Sequence, residues 1–251
     1  MSETADPFCR ALVRYLTDQL GKEVVFVDNL PWLARLERLL AGEIHAGWVC
    51  GWVYVRWKAH LELLAAPVMA AARYAGQPVY FSDVIVRRDN AYARLEALRA
   101  ARWVYNEAGS FSGYLAMLHR LEQMNETLEF FSEAIPSGAH TASLRMVLEG
   151  QADLTALDST AFDQMQRDSP SLADRLHVVE SLGPFPVPPW VVSPSLAIGE
   201  RDTLKQVLWA MHATPRGQAV LSEGLFDRFV SVSDSAYDPI RRMVAGLACG
   251  A

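Results

Sequence analysis

Ser110 and Ser112 lie two residues apart between Gly109 and Gly113, in the stretch Arg102-Trp103-Val104-Tyr105-Asn106-Glu107-Ala108-Gly109-Ser110-Phe111-Ser112-Gly113-Tyr114. Two hydroxyls beside two glycines suit the holding of an oxyanion. Residues 102–105 are aromatic or branched and predict a buried strand. From Tyr114 onward Leu115, Leu118 and Leu121 recur at helical spacing. The unit is strand, flexible Ser/Gly loop, helix beginning near Gly113. The first N–H groups of a helix have no partner within it and carry partial positive charge. The serines add donors, and Gly113 lets the backbone come close to a ligand. Together these features make an anion cradle. An ordinary N-cap accounts for one serine; Ser110, Ser112 and two glycines exceed what a cap requires.

The remaining chain must position this loop. Phe8, Leu12, Val13, Leu16 and Leu20 predict a helix closed by Gly21. Residues 24–27 predict a strand, and Pro31 opens a helix ended by Gly42. Residues 44–50 and 61–68 predict strands, with an ambiguous alanine-rich stretch at 69–74. This alternation predicts an α/β lobe with a largely parallel sheet. Further strands are expected at 79–87, near 128–131, at 152–157 and at 177–182, with a short helix at 94–100 and a helix opened by residues 137–141. The proline-rich 183–189 excludes a helix. Residues 190–193 re-enter a sheet, and helices follow at 203–212, 215–222 and 238–247. Two extended crossings, near 82–86 and 184–191, predict two α/β lobes: residues 1–83 with 187–251, and residues 84–186 carrying the anion loop. A hinged pair of this kind encloses a cleft suited to a small ligand.

Composition removes several classes. With 251 residues, half of them hydrophobic, the chain can bury a sizeable core. The net charge of −6 and the lack of a basic run give nucleic-acid binding no support. No apolar run is long enough to span a bilayer. The acidic N-terminus lacks the regions of a signal peptide. Cys9, Cys50 and Cys249 form no zinc or redox motif and read as buried thiols. The histidines show no metal-binding spacing, so neither metal nor cofactor is expected.

Four motifs occur in order: Tyr80-Phe81-Ser82-Asp83-Val84-Ile85-Val86, Ser110-Phe111-Ser112-Gly113-Tyr114, Ser137-Gly138-Ala139-His140, and Gly150-Gln151-Ala152-Asp153-Leu154-Thr155-Ala156-Leu157-Asp158-Ser159. Together with Tyr237-Asp238-Pro239-Ile240-Arg241, the set resembles the phosphate/phosphite/phosphonate substrate-binding proteins of ABC transporters, a PhnD-like group with the type II periplasmic-binding fold. The resemblance runs from about residue 9 to residue 243. It implies a solute-binding protein, not an enzyme, that captures a small oxyanion for an ABC permease in the periplasm. Ser110, Ser112 and Gly113, with Phe111 between them, match the oxyanion loop. His140 matches a pocket histidine, Asp158 an acidic residue after the following strand, and Tyr54 and Tyr80 the closing aromatics.

Asp158 has a second reading as the cap of the next helix, and His140 one as an ordinary helix-start histidine. The family begins with a strand ahead of the first helix, whereas this chain starts almost at that helix. Either the start is truncated or another segment substitutes; otherwise the first sheet keeps an exposed edge. His45 and Val53 stand where the family often has Asp and Pro. Two rivals stay open. One is a cytoplasmic or signalling-associated sensor on the same fold. The other is an enzyme using Ser110 or Ser112 with His140 and Asp158, although no G-x-S-x-G elbow is present.

Overall fold

The computed structural model describes residues 5–90 and 92–249, with residues 248 and 249 described by backbone alone. The chain divides into two units. The first comprises Ala5–Val79 and Pro186–Asp238; the second comprises Tyr80–Phe185 and the chain from Pro239 onward.

In the first unit, Asp6 and Pro7 open helix α1 (Asp6–Leu20), and Gly21 ends it at φ 62°. Its buried stripe is Phe8, Leu12, Tyr15 and Leu16. Helix α2 (Trp32–Leu40), strand β1 (Ala46–Trp48), helix α3 (Gly51–Trp57) and strand β2 (Glu62–Met69) follow. Residues 24–27, expected as a strand, form none, and Val25 is 69% exposed. The cause is a missing ladder. β1 pairs with a later strand on one side, and among the described residues no strand flanks its other side. The alanine-rich stretch resolves into the end of β2 and a 3₁₀ turn, Ala72–Tyr74.

The second unit contains strand β3 (Val79–Arg87), strand β4 (Arg102–Tyr105), helix α4 (Ala116–Gln123), strand β5 (Glu133–Pro136), helix α5 (His140–Leu148), strand β6 (Leu154–Asp158), helices α6 (Ser159–Asp168) and α7 (Leu172–Arg175), and strand β7 (Leu176–Pro186). The expected strand near 128–131 is a 3₁₀ turn instead, with β5 just beyond it, and the helix expected at 94–100 is a 3₁₀ turn at Leu95–Leu98. The chain then supplies the first unit with strand β8 (Trp190–Val192), helices α8 (Ile198–Ala210) and α9 (Pro215–Glu223), and strand β9 (Phe226–Val230), which has no counterpart among the sequence expectations. The terminal helix α10 (Asp238–Cys249) groups, from Pro239, with the second unit rather than the first. A Cβ built on Gly246 would lie 3.8 Å from the Glu122 carboxylate, which places α10 beside the end of α4.

The sheet of the first unit runs β1-β8-β2-β9 with every neighbouring pair antiparallel, not largely parallel as its helix–strand alternation suggested. β8 comes from far along the chain and inserts between two strands that would otherwise be neighbours. An aromatic cluster fills its core: Phe8 meets Phe226 edge-on at 4.8 Å, and Trp48 stacks on Trp190 at 6.2 Å. Cys9 and Cys50 form no disulfide and are only partly buried. Burial nevertheless pushes the Cys9 thiol up to about 12.

The second sheet runs β5-β4-β6-β3-β7. β5, β4 and β6 are parallel, and β3 runs against β6. Register pairs Tyr105 with Pro136, and Ser82 with Asp158. The carboxyl ends of β5, β4 and β6 and the amino end of β3 therefore share one edge. At the opposite edge Arg102 pairs with Asp153 at 2.9 Å, and its backbone N–H donates to the same carboxylate at 2.8 Å, which pins β4 against β6. Ile85, Val104, Leu144, Val147, Leu157 and Phe162 form the core beneath. Each such side chain, fully buried, contributes about 1.5–3 kcal/mol. β7, with Pro184 and Pro186, lies at the rim, where proline costs no central ladder bond.

No described helix is long and apolar enough to cross a membrane. Among the described residues no cluster of His, Cys, Asp or Glu could hold a metal ion.

Candidate anion-binding site

β4 ends at Tyr105, and the chain turns through 106–110 into a helix that begins at Phe111, earlier than the spacing of the leucines suggests. Its first turn, Phe111–Leu115, is a π-turn: the N–H of Leu115 donates to the Ser110 carbonyl at 3.1 Å. α4 continues it without a break. Aromatic packing sets this turn. Tyr114 stacks on Trp103 at 5.4 Å, and Phe111 sits edge-on to Phe185 at 4.9 Å.

Ser110 is the N-cap. Its Oγ accepts from the N–H of Gly113 at 3.1 Å, which leaves its own hydrogen available to donate. Ser112 lies inside the first turn rather than in a loop. Its carbonyl accepts from Ser82 Oγ at 2.6 Å, tying the turn to β3. Both serines are buried, at 7% and 4% exposure.

Gly113 also meets a packing demand inside the loop. Its φ is not positive, and the space a side chain would fill holds the Asn106 amide: a Cβ there would lie 1.8 Å from Asn106 Oδ1. Asn106 Oδ1 is itself buried without a hydrogen-bond partner. Asn106 is a residue that sequence reasoning passed over. Its signal is positional, since it is the first residue beyond a parallel strand, where open α/β sheets hold ligands.

His140 opens α5 just beyond β5. Backbone bonds from Ser137 N–H to Tyr105 O and from Gly138 N–H to Asn106 O, both 2.8 Å, lock this loop to the β4 loop. The His140 residue keeps part of its surface exposed, yet Nδ1 is buried and takes no partner. Burial pushes its pKa down to about 4. At neutral pH the ring is uncharged and can donate or accept one hydrogen bond at each nitrogen according to tautomer.

Asp158, at the end of β6, caps α6. Oδ1 accepts from Thr160 N–H at 2.8 Å, Thr160 Oγ1 at 2.7 Å and Ala161 N–H at 3.4 Å. The capping reading thus describes one oxygen, since all three bonds end on Oδ1. Burial raises its pKa, and the nearby Asp83 raises it further.

Tyr80 lies near the start of β3, 1% exposed and edge-on to Phe185 at 6.3 Å. The strand register therefore brings Tyr80, Ser110, Phe111, Ser112, Gly113, His140 and Asp158 to one edge of the second sheet. Tyr54 belongs to the first unit. Its hydroxyl donates to Asp234 Oδ1 at 2.7 Å, its ring meets Tyr237 edge-on at 5.0 Å, and it borders a cavity of about 320 Å³ with Glu62, Lys205 and Trp209.

A family model described as ABC transporter, phosphonate, periplasmic substrate-binding protein matches residues 3–237. The binding-protein component of an ABC phosphonate transporter from Pseudomonas aeruginosa is 19% identical, with a TM-score of 0.85 over 97% of this chain and 82% of that one. PhnD1 from Prochlorococcus marinus, solved with methylphosphonate, is 18% identical, with a TM-score of 0.83 over 98% and 94%. A Xanthomonas citri protein solved with ATP is 16% identical, with a TM-score of 0.74 over 99% and 94%. At such identities the likeness carries the fold, that of the type II periplasmic binding proteins. Methylphosphonate and ATP on one fold show that fold alone does not choose the ligand.

Proposed function

This chain belongs to the family of periplasmic substrate-binding proteins of ABC phosphonate transporters, and on that premise we propose that its second unit captures a small phosphorus oxyanion at the edge where α4 and α5 begin. Ser110 and Ser112 donate to the anion oxygens, joined by the N–H groups of the first helical turn and by His140. Phe111 anchors that turn, and Gly113 admits the Asn106 amide beneath it. Tyr80 supports the same edge; Tyr54 enters only through the family resemblance. The bound anion is delivered to an ABC permease on the periplasmic side, with no chemical step.

The observation that carries this reading is the convergence of two features. A buried, serine-capped helix start and an unpartnered buried histidine nitrogen lie at the carboxyl ends of adjacent parallel strands. Helix starts favour anions, and open α/β sheets hold ligands at that edge. A hydrolytic reading lacks a comparable support: Asp158 spends Oδ1 on a cap and His140 Nδ1 has no orienting acid, so no Ser–His–Asp relay is assembled.

The test is calorimetric titration of the intact chain with phosphate, phosphite, methylphosphonate and 2-aminoethylphosphonate, with arginine as a control. At least one phosphorus oxyanion should bind with micromolar or tighter affinity while arginine gives no heat. Silence from all four would overturn the proposal.

A further inference from the structure

The cavity of about 320 Å³ beside Tyr54 lies wholly within the first unit. Strand pairing explains why it exists. β9 ends at Val230, opposite Ala66, so among the described residues no ladder covers residues 62–65 on that side of β2. Ser231 and Val232 leave the sheet at this point, and α8 packs across β2 and β9 beside the gap. Leu61, Leu64, Val232 and the Trp209 indole supply apolar walls. A mostly apolar cavity of this size with a few convergent polar groups has the makeup of a small-molecule site.

The polar groups at this cavity are donors in excess of acceptors. Arg201, Lys205 and Trp209 recur every four residues on α8 and so share one face. Arg201 and Lys205 both donate to the single Glu62 carboxylate, Lys205 at 2.6 Å. The hydrogen bond from Lys205 holds Glu62 below the usual carboxylate range, so it stays ionised and offers no donor. An ammonium has three donors, and among the described residues Lys205 spends one, on Glu62. Arg201 Nε and Trp209 Nε1 are buried donors without a partner. Tyr54 and Lys58 donate to Asp234 at 2.7 and 2.9 Å, so the adjoining Lys58–Asp234 pair adds no net charge. The cluster of Arg201, Lys205 and Glu62 therefore keeps one positive charge in surplus.

We propose that this cavity is a second ligand site, for a small monocarboxylate with an apolar body. The ligand carboxylate accepts from Lys205 beside Glu62 and brings the charge of the cluster to zero. The Trp209 indole and the leucines cover the apolar part, whose burial drives entry. One surplus positive charge suits one negative charge, and a small hydrated dianion has no apolar part to set against these walls. No residue of the second unit takes part, so the proposal stands apart from the oxyanion reading.

The test titrates benzoate and hexanoate into the isotope-labelled intact chain, with benzamide and hexanamide as uncharged counterparts. Proton–nitrogen NMR follows the Trp209 indole signal, assigned through Trp209→Phe. Both carboxylates should shift that signal saturably, and the amides should bind at least about tenfold more weakly, in line with a charge-assisted hydrogen bond. Lys205→Met keeps the aliphatic stem but removes the ammonium, and should weaken carboxylate binding about tenfold or more. Val232→Phe keeps every charge and takes up cavity volume, and should weaken it likewise; thermal melting shows that each variant is folded. Ser110→Ala/Ser112→Ala, at the edge of the second unit, should bind the carboxylates as the parent does. Absence of a saturable shift, equal binding of amides and carboxylates, or parent-like binding in either folded cavity variant would overturn the proposal. Loss of carboxylate binding in the double serine variant would overturn it too, by placing the ligand on the second unit.

Discussion

The side-chain amide of Asn106 fills the place that a side chain at residue 113 would need: a Cβ on Gly113 would stand 1.8 Å from Asn106 Oδ1 and 3.0 Å from Ser110 Oγ. The glycine before Tyr114 is thus a packing requirement within the loop, and the loop and the end of β4 are built as one piece. Gly113→Ala should push the Asn106 amide aside, lower stability by about 1–3 kcal/mol and weaken oxyanion binding. Asn106→Gly in the same chain should restore part of the lost stability, a coupling that a double-mutant cycle measures. A Gly113→Ala protein as stable and as tight-binding as the parent would show that the amide and the glycine do not compete for that space.

His140 should remain neutral far below the usual histidine range. Its folded value of about 4 lies below its ordinary 6.5 because burial penalises the charged ring. Between those values the unfolded chain binds a proton that the folded chain refuses. Stability from this group is therefore present above about pH 6.5 and is lost as pH falls toward 4, by up to about 3 kcal/mol. Proton NMR titration of the His140 ring checks the first statement. Denaturant unfolding of the parent and His140→Gln at pH 7 and pH 4.5 checks the second, with the variant showing the smaller loss. A ring titrating near 6.5 would remove the basis for both.

Among the described residues no strand pairs with the outer edge of β1. The His45 carbonyl and the Val49 N–H bond toward the β8 side, to Ser193 and Pro189. By the alternation of an antiparallel ladder, the backbone groups of Ala46 and Trp48 point the other way. Unpaired strand edges invite association. Light scattering should show concentration-dependent association of this chain. Ala46→Pro removes an outward-facing N–H and leaves the β8 bonds in place, so it should reduce association. Unchanged scattering in Ala46→Pro would place the contact elsewhere.

Much of the site is legible in the sequence because local chemistry determines it. The Ser110–Gly113 motif, the His140 helix start and the capping geometry of Asp158 depend on neighbours a few residues away. What is not legible depends on distant partners. Residues 24–27 have the composition of a strand, yet the sheet offers them no ladder, and β8, more than a hundred residues downstream in the chain, occupies the place between β1 and β2. That insertion, together with β9 running against β2, makes the sheet antiparallel, against the reading drawn from alternating helices and strands. The packing demand on Gly113 is hidden for the same reason: its partner is a side chain, Asn106, whose direction no spacing reveals. Tyr54 matches a family position, but its bond to Asp234 joins residues far apart in the chain. The grouping of α10 likewise follows from packing beside Glu122 rather than from any local signal.

The most direct measurement is a calorimetric titration of methylphosphonate into the parent and into the double variant Ser110→Ala/Ser112→Ala at pH 6. Hydrogen bonds to a charged group are worth roughly 1.5–3 kcal/mol each. Loss of both hydroxyls should therefore weaken binding about a hundredfold or more, with a melting temperature within a few degrees of the parent, because one lost cap costs only about 1 kcal/mol. Parent-like affinity in a folded double variant would contradict the assignment, leaving Ser110 as a helix cap and Ser112 as a residue of the first turn with no anion to hold.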